Sequence, residues 1–410
     1  LPLVWMQRKL LRNARKYAAM GGKGARVATL KLGGSGQAIA LSIIGFSLII
    51  DRVRDSAARQ APLCIRGGGT KDFHGPGAPR HAGEPLDMRP LAGIVSYEPS
   101  ELVVTALAGT PLAELEALLA RHGQCLAFEP PRFAAGGTVG GMVAAGLSGP
   151  ARASVGAVRD FVLGVEIING RGELLRFGGQ VMKNVAGYDV SRLMAGSWGQ
   201  LGVITEVSLK VLPVAPAEAT LRFDCGQAEA LKMLHAWGGQ PLPLNASCWL
   251  EEGGAGQLYV RLRGARAAVE AACRDMGGAP QDAPNVADDW QACRDQRLPW
   301  FAARPADQAL WRLSLPQTAP VLPLPAGVAA PLIEWQGGLR WLQAPMHHRE
   351  ALRTLALQVG GSASCFIAAG ADGVGDKGIF DTNSGALATI HRRLKQAFDP
   401  AAILTPGRLL

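Results

Sequence analysis

The segment CIRGGGTKDFHG, residues 64–75, runs from a short apolar lead-in into three consecutive glycines, a threonine and a lysine. Three adjacent residues without side chains mean either that the backbone turns sharply or that something touches the backbone itself. Successive N–H groups in such a turn form a partly positive concavity that suits a phosphate. Gly67, Gly68 and Gly69 permit the approach, Thr70 supplies a hydroxyl, and Arg66 or Lys71 supplies charge. The Walker A spacing G-x-x-x-x-G-K-[ST] is absent. Taken alone, the loop reads equally as a tight turn between two strands.

A second block, GGTVGGMVAAGLSG, spans residues 136–149 and holds Gly136, Gly137, Gly140, Gly141, Gly146 and Gly149. A segment so poor in side chains packs flush against something, whether a ligand or a sheet that a small-residue helix lies upon. A third block, GSWGQLG, follows at residues 196–202. Three such blocks favour one extended ligand, and a dinucleotide with its pyrophosphate and two aromatic ends fits. Gly373–Gly378 satisfies G-x-G-x-x-G, but too little chain follows to complete a βαβ unit, so it reads as a surface loop.

Around these blocks the pattern predicts a helix over 47–58 and a strand over 63–66 that runs into the first loop. Strands are predicted over 93–97 and 102–106, then a helix opened by Thr110 as N-cap with Pro111 first and closed at Gly123. A hairpin is predicted from Val162–Ile168 and Glu173–Phe177 with its turn at Asn169-Gly170. A helix over 189–194 and a strand over 203–211 follow. Prolines 213 and 216 mark a boundary, after which the order becomes β-α-β-β-α, a Pro-rich loop, three strands, a helix and a strand. The chain closes on a helix and an exposed tail. The fold class is α+β. The division expected is 1–45 a basic, disordered extension, 46–214 a cofactor-binding domain, 215–390 a mixed α/β cap, and 391–410 a segment returning to the first domain.

Composition narrows the function classes. Of 410 residues, 48% are hydrophobic and 18% charged, as in a globular protein. The net charge of +9 is local: residues 1–50 hold eight basic and no acidic residues, leaving 34 Lys+Arg against 33 Asp+Glu elsewhere. No basic groove for nucleic acid is indicated in the body. The seven cysteines form no C-x-x-C pair, so no metal site is expected and a reducing compartment suits them. The apolar run 38–50 is too short to span a bilayer.

IRGGGTK, TVGGMVAAGLSG and KNVAGYDVSRLMAGSWGQLGVITEVSLKVLP resemble the FAD-binding domain of the vanillyl-alcohol oxidase (PCMH) type. FDPAAILTPGRL resembles that family's C-terminal signature, with Thr405 where Asn is usual. GIVSYEPSELVVTALAGTPL and GGMVAAGLSGPARASVGAVRDFVLG are similar to one branch, the FAD-binding (E) subunits of bacterial glycolate oxidases. The resemblance begins near Ser47. It implies a two-subdomain FAD-binding domain followed by a cap. It implies that Arg66, Gly67, Gly68, Gly69, Thr70 and Lys71 hold the pyrophosphate. Thr138, Gly140, Gly141 and Gly146 would line the flavin side, and Gly202, Val203 and Ile204 would touch the cofactor through the backbone. His74 stands where some relatives attach flavin covalently, although non-covalent FAD is expected here. The implied partners are a catalytic flavoprotein D subunit and an iron–sulfur F subunit. The implied location is cytoplasmic, peripheral to the membrane through the complex.

Catalytic siblings in this family carry H-x-G-D-G-N-x-H in the cap, and none of the seven histidines here forms it. Arg159 and Lys183 are candidates for a substrate carboxylate, but both also suit structural ion pairs. Catalytic residues are therefore not assigned. Three readings stand: the FAD-bearing subunit of a glycolate-oxidising complex, a free-standing FAD-dependent 2-hydroxy-acid dehydrogenase, and a structural subunit. The intact glycine loops argue against the third and the missing histidines against the second.

Overall fold

A computed structural model describes residues 34–74, 83–179, 189–369 and 386–406. Lys183 and the Gly373–Gly378 loop lie outside the described residues. Helix α1, Gly34–Arg59, begins well ahead of Ser47. Among the described residues no helix is long and apolar enough to cross a membrane.

Strand β1, Leu63–Arg66, pairs in parallel with β2, Glu84–Asp87. Ile49 and Val53 of α1 are buried beneath this pair with Leu63, Leu86, Met88 and Ile403. Within the segment expected to be an exposed tail, Ile403 and Leu404 are buried. Leu404 bridges to Leu63, and both are fully buried. Asp399 holds the turn by accepting the Ile403 and Leu404 amides (3.2 and 2.8 Å) and the Lys395 ammonium (2.7 Å). An apolar Ile-Leu pair at the end of a helix gains more by covering a strand edge than by meeting water.

Next come β3 (Ile94–Glu98), β4 (Val103–Leu107), α2 (Leu112–Arg121), β5 (Gln124–Cys125) and α3 (Val139–Ala145). They are followed by β6 (Val162–Ile168), β7 (Leu174–Gly178), β8 (Val203–Lys210) and the short β9 (Leu212–Pro213). An antiparallel five-stranded sheet has the order β3-β4-β8-β6-β7. Its core joins Val104, Leu115, Leu119, Phe128, Met142 and Val207.

Two local expectations are corrected. The N-cap of α2 is Pro111, not Thr110. The Thr110 hydroxyl instead donates to Leu107 O (2.7 Å) and accepts from Gly93 N (2.9 Å), so cross-strand ties outcompete capping. The β6–β7 connection is longer than an Asn-Gly turn. Asn169 Oδ1 accepts from the Arg171 and Glu173 amides (both 3.0 Å), and the left-handed residue is Gly172 (φ +70°). Gly170 is small for another reason: a Cβ there would lie 2.3 Å from Asp399 Oδ1.

Beyond the prolines come β10 (Ala217–Asp224), α4 (Gln227–Gly238), β11 (Leu244–Glu252), β12 (Ala255–Gly264), α5 (Arg266–Met276) and β13 (Ala279–Pro280). The stretch read as a Pro-rich loop contains α6, Val286–Arg294. Then follow β14 (Ala309–Ser314), β15 (Leu332–Glu334), β16 (Leu339–Ala344), α7 (Arg349–Gln358), β17 (Ser362–Ile367) and α8 (Ala386–Phe398). These strands form one antiparallel eight-stranded sheet, ordered β13-β10-β12-β11-β15-β16-β14-β17. The two sheets meet through charge. Arg261 of β12 donates to Glu129 Oε1 (2.6 Å), and Asp295 accepts the Arg132 amide (2.9 Å).

Candidate cofactor site

An open cleft of about 740 Å³ lies between the β1 loop and α3. It is lined by Arg66, Gly67, Gly68, Gly69, Thr70, Lys71, Thr138, Gly140, Gly141, Gly202 and Ile204, eleven of the thirteen residues the sequence suggested.

Each side of the cleft follows from local chemistry. The loop leaves β1 with Gly69 at φ +71°, a conformation that side chains resist. The amides of Gly68, Gly69 and Thr70 donate to none of the described residues. Three such donors in one half-exposed turn match an anionic oxygen. The chemistry of a pyrophosphate therefore fits. Opposite, Thr138 caps α3 by accepting the Gly141 amide at 3.2 Å, and Gly146 ends the helix at φ +66°. Gly140 lets α3 lie on the end of β4, where a Cβ would come within 2.6 Å of Ala108 Cβ. That approach brings Thr138 and Gly141 to the cleft wall.

The structure changes the reason for one glycine. A Cβ on Gly68 would stand 1.6 Å from Gly136 O, so Gly68 is required first by the packing of one glycine loop on the other. Gly146 and Val203 do not line the cleft. Gly146 is pressed against Gly196, 2.7 Å from where its Cβ would be. Val203 points to the other face of the β8 entry, into the core with Leu63 and Ile168. Gly202 and Ile204, its neighbours, face the cleft because successive residues of an extended chain alternate sides.

The two cations differ. Arg66 is committed to an ion pair with Asp72. Lys71 is half-buried against Thr70 Oγ1 (3.3 Å) and 5.6 Å from the Phe133 ring centroid. Burial pushes its ammonium down to about 8, opposed by Asp295. Sequence reasoning missed Trp198 and Gly199, which line the cleft at φ +51° and +78°. The GSWGQLG glycines were the available signal.

His74 is not in the cleft lining. It is buried, its Nδ1 lies 3.0 Å from Phe366 O, and its ring sits 4.7 Å from Trp198 and 4.8 Å from Phe366. Arg159 is an exposed surface residue beside Asp160 (3.9 Å). Among the described residues no group of His, Cys, Asp or Glu is arranged to hold a metal, and none of the seven cysteines is in a disulfide.

Comparisons with known proteins bear on this geometry. The profile described as FAD binding domain matches residues 48–178. Glycolate oxidase subunit GlcE of Escherichia coli is 44% identical over 88% of this chain and 96% of its own length. Glycolate oxidase subunit GlcD of Bacillus subtilis is 31% identical over 40% of this chain and 34% of that protein. A D-lactate dehydrogenase of Archaeoglobus fulgidus is 32% identical over 38% of this chain and 34% of that protein. The solved structure of an alkyldihydroxyacetonephosphate synthase superposes with a TM-score of 0.58 at 16% identity, covering 87% of this chain and 74% of that one, which is a likeness of fold.

Proposed function

The chain belongs to the family of FAD-binding glycolate oxidase subunits, and from that premise we propose that it carries FAD in the glycine-lined cleft as one subunit of a complex oxidising glycolate to glyoxylate. It is an FAD-dependent oxidoreductase subunit. The observation that carries the placement is the β1 loop, with three undirected amides facing α3 across the cleft. FAD, when bound, supplies the two-electron redox chemistry that no side chain here provides.

The roles proposed for the residues are these. Gly68, Gly69 and Thr70 hold the pyrophosphate by their amides, with Lys71 as the adjacent cation. Thr138, Gly140, Gly141, Gly202 and Ile204 form the flat walls, and Trp198 closes one end. Residues 46–214 with 391–410 make the FAD-binding unit and 215–390 the cap. The cofactor is non-covalent, because His74 is packed between Trp198 and Phe366 rather than presented to the cleft. The partners are a D subunit that performs the hydride chemistry and an iron–sulfur F subunit that passes electrons on, with the assembly peripheral to the membrane.

The test is to purify the chain alone and with the D and F subunits. Alone, it should be yellow and keep its flavin oxidised when mixed with glycolate. The assembled complex should reduce a dye acceptor, and omission of this chain should abolish that activity. Rapid bleaching of the isolated chain's own flavin by glycolate would instead establish a free-standing dehydrogenase.

A further inference from the structure

A second concavity opens where the segment after α3 meets the eight-stranded sheet. It is a narrow recess open to solvent, and its walls include Phe133, Ser148, Arg312, Glu334, Trp335 and Trp341. The clustered rings of Phe73, Phe133 and Phe366, with centroids 5.0, 5.6 and 6.1 Å apart, stand between it and Lys71 of the cleft.

Two arginines share one indole here. The guanidinium of Arg312, from β14, lies 5.2 Å from the Trp335 ring centroid, and that of Arg152 lies 4.4 Å from it. Neither guanidinium makes a hydrogen bond or ion pair with any described residue. Two other buried arginines donate to oxygens, although the Nε of Arg340 has no partner among the described residues. Arg261, over Trp290, also donates to Asn245 and Glu129, and Arg340 donates to the Ala319 and Pro320 carbonyls. Burial, then Arg152, pushes the Arg312 guanidinium down to about 10. The nearby acid, Glu334, accepts instead from Trp341 Nε1 at 3.0 Å. Burial pushes its carboxyl up to about 7. Glu334 opposes the shift of Arg312, and Asp160 that of Arg152, but neither acid is hydrogen-bonded to these guanidinium groups, so an anion that accepted directly from them would add to the pairing.

The backbone points the same way. Trp335 and Gln336 both stand at φ +56°, followed by Gly337 at φ +95°. Two consecutive non-glycine residues in the left-handed region persist only where surrounding contacts impose them, and such strain gathers at functional sites. The Trp335 Nε1–H bond to Gly149 O, 2.9 Å long, is one such contact.

The geometry points to this recess as a binding site for a small carboxylate anion, held by the Arg312 guanidinium of its wall, with Arg152 adding positive charge from outside the lining. A planar guanidinium offers a carboxylate two parallel N–H donors. The aromatic walls lower the local dielectric around the half-buried Arg312, which strengthens the pairing. The inference stands on these side chains and not on the cofactor assignment.

The test is calorimetric titration of the full-length protein, as purified, with oxalate and with glycolate, using sulfate at equal ionic strength as control. Oxalate should bind at a single site. Arg312→Gln should weaken it by about tenfold or more, the loss of a charge-assisted bidentate pair, and Arg152→Gln by a smaller factor. Glu334→Gln, which removes the competing negative charge, should tighten it. Unchanged oxalate affinity in Arg312→Gln, or wild-type heats equal to those of sulfate, overturns the site. If Arg312→Gln does not fold, Arg152→Gln decides, and unaltered binding there overturns it equally. Flavin content, read from absorbance, is scored separately. A colourless wild-type protein would count against the cofactor reading while the oxalate titration still decides this one.

Discussion

Replacing Gly141 with alanine should move protein stability and flavin affinity in opposite directions. Gly141 sits in the first turn of α3 and lines the cleft. A Cβ built there meets only Thr138 Oγ1, at 3.0 Å, and otherwise projects into open space. The hydroxyl need give by only a few tenths of an ångström. The backbone gains from the exchange, because alanine favours a helix over glycine by up to about 1 kcal/mol. The apo protein should therefore be as stable as wild type or slightly more so. A flat cofactor lying on this wall meets the new methyl directly. Overpacking a close contact costs roughly 1–3 kcal/mol, which is about 5- to 150-fold in Kd. The assay is fluorescence titration of the flavin-stripped chain with FAD, beside urea unfolding of the same apo samples. An unchanged FAD affinity in Gly141→Ala would refute the placement of the cofactor against α3. Reduced affinity together with a markedly destabilised apo protein would refute the reasoning about the wall.

Gly68→Ala should lower both quantities, since its Cβ would overlap Gly136 O at 1.6 Å and one loop must move; intact apo stability by urea unfolding would show that the loops do not touch as described. Acid precipitation should release all flavin to the supernatant, and a yellow pellet would contradict the packed position of His74. Glu334, whose carboxyl is raised from the ordinary 4.5 to about 7, binds more protons folded than unfolded, so its contribution is full below pH 4.5 and is lost as pH rises through 7. At about 1.4 kcal/mol per pH unit, the total is roughly 3 kcal/mol. Glu334→Gln should thus be more stable than wild type at pH 8 and similar near pH 5, which urea midpoints at the two values would check. Asp399→Ala should cost about 3 kcal/mol, because it removes the counter-charge of Lys395, leaving its ammonium only the Gln200 and Leu404 carbonyls, and unbonds two amides, and it should loosen β1 with the tail; a loss of under 1 kcal/mol would show that the tail is not held this way.

What the sequence determined by itself was mostly local. The strand into the glycine loop, the β6–β7 hairpin, the strand after GSWGQLG and the β-α-β-β-α order past the prolines rest on alternation, turn residues and helical period within short windows. The glycine clusters marked the cofactor cleft for the same reason: backbone exposure is written directly in residue type. Tertiary structure decided whatever depends on two distant segments meeting. Gly68 is bound to glycine by Gly136, and Gly170 by Asp399, contacts that no local window contains. Thr110 gave up capping for bonds with the Gly93 backbone on another segment. The tail became a buried partner of Leu63 only because β1 offered an apolar edge. Arg152 and Arg312 lie 160 residues apart and meet on Trp335 because antiparallel pairing brings β14, β15 and β16 together beneath the segment after α3. Isolated arginines carry no periodic signal, so only the packed sheet reveals that these two share one ring without an acceptor.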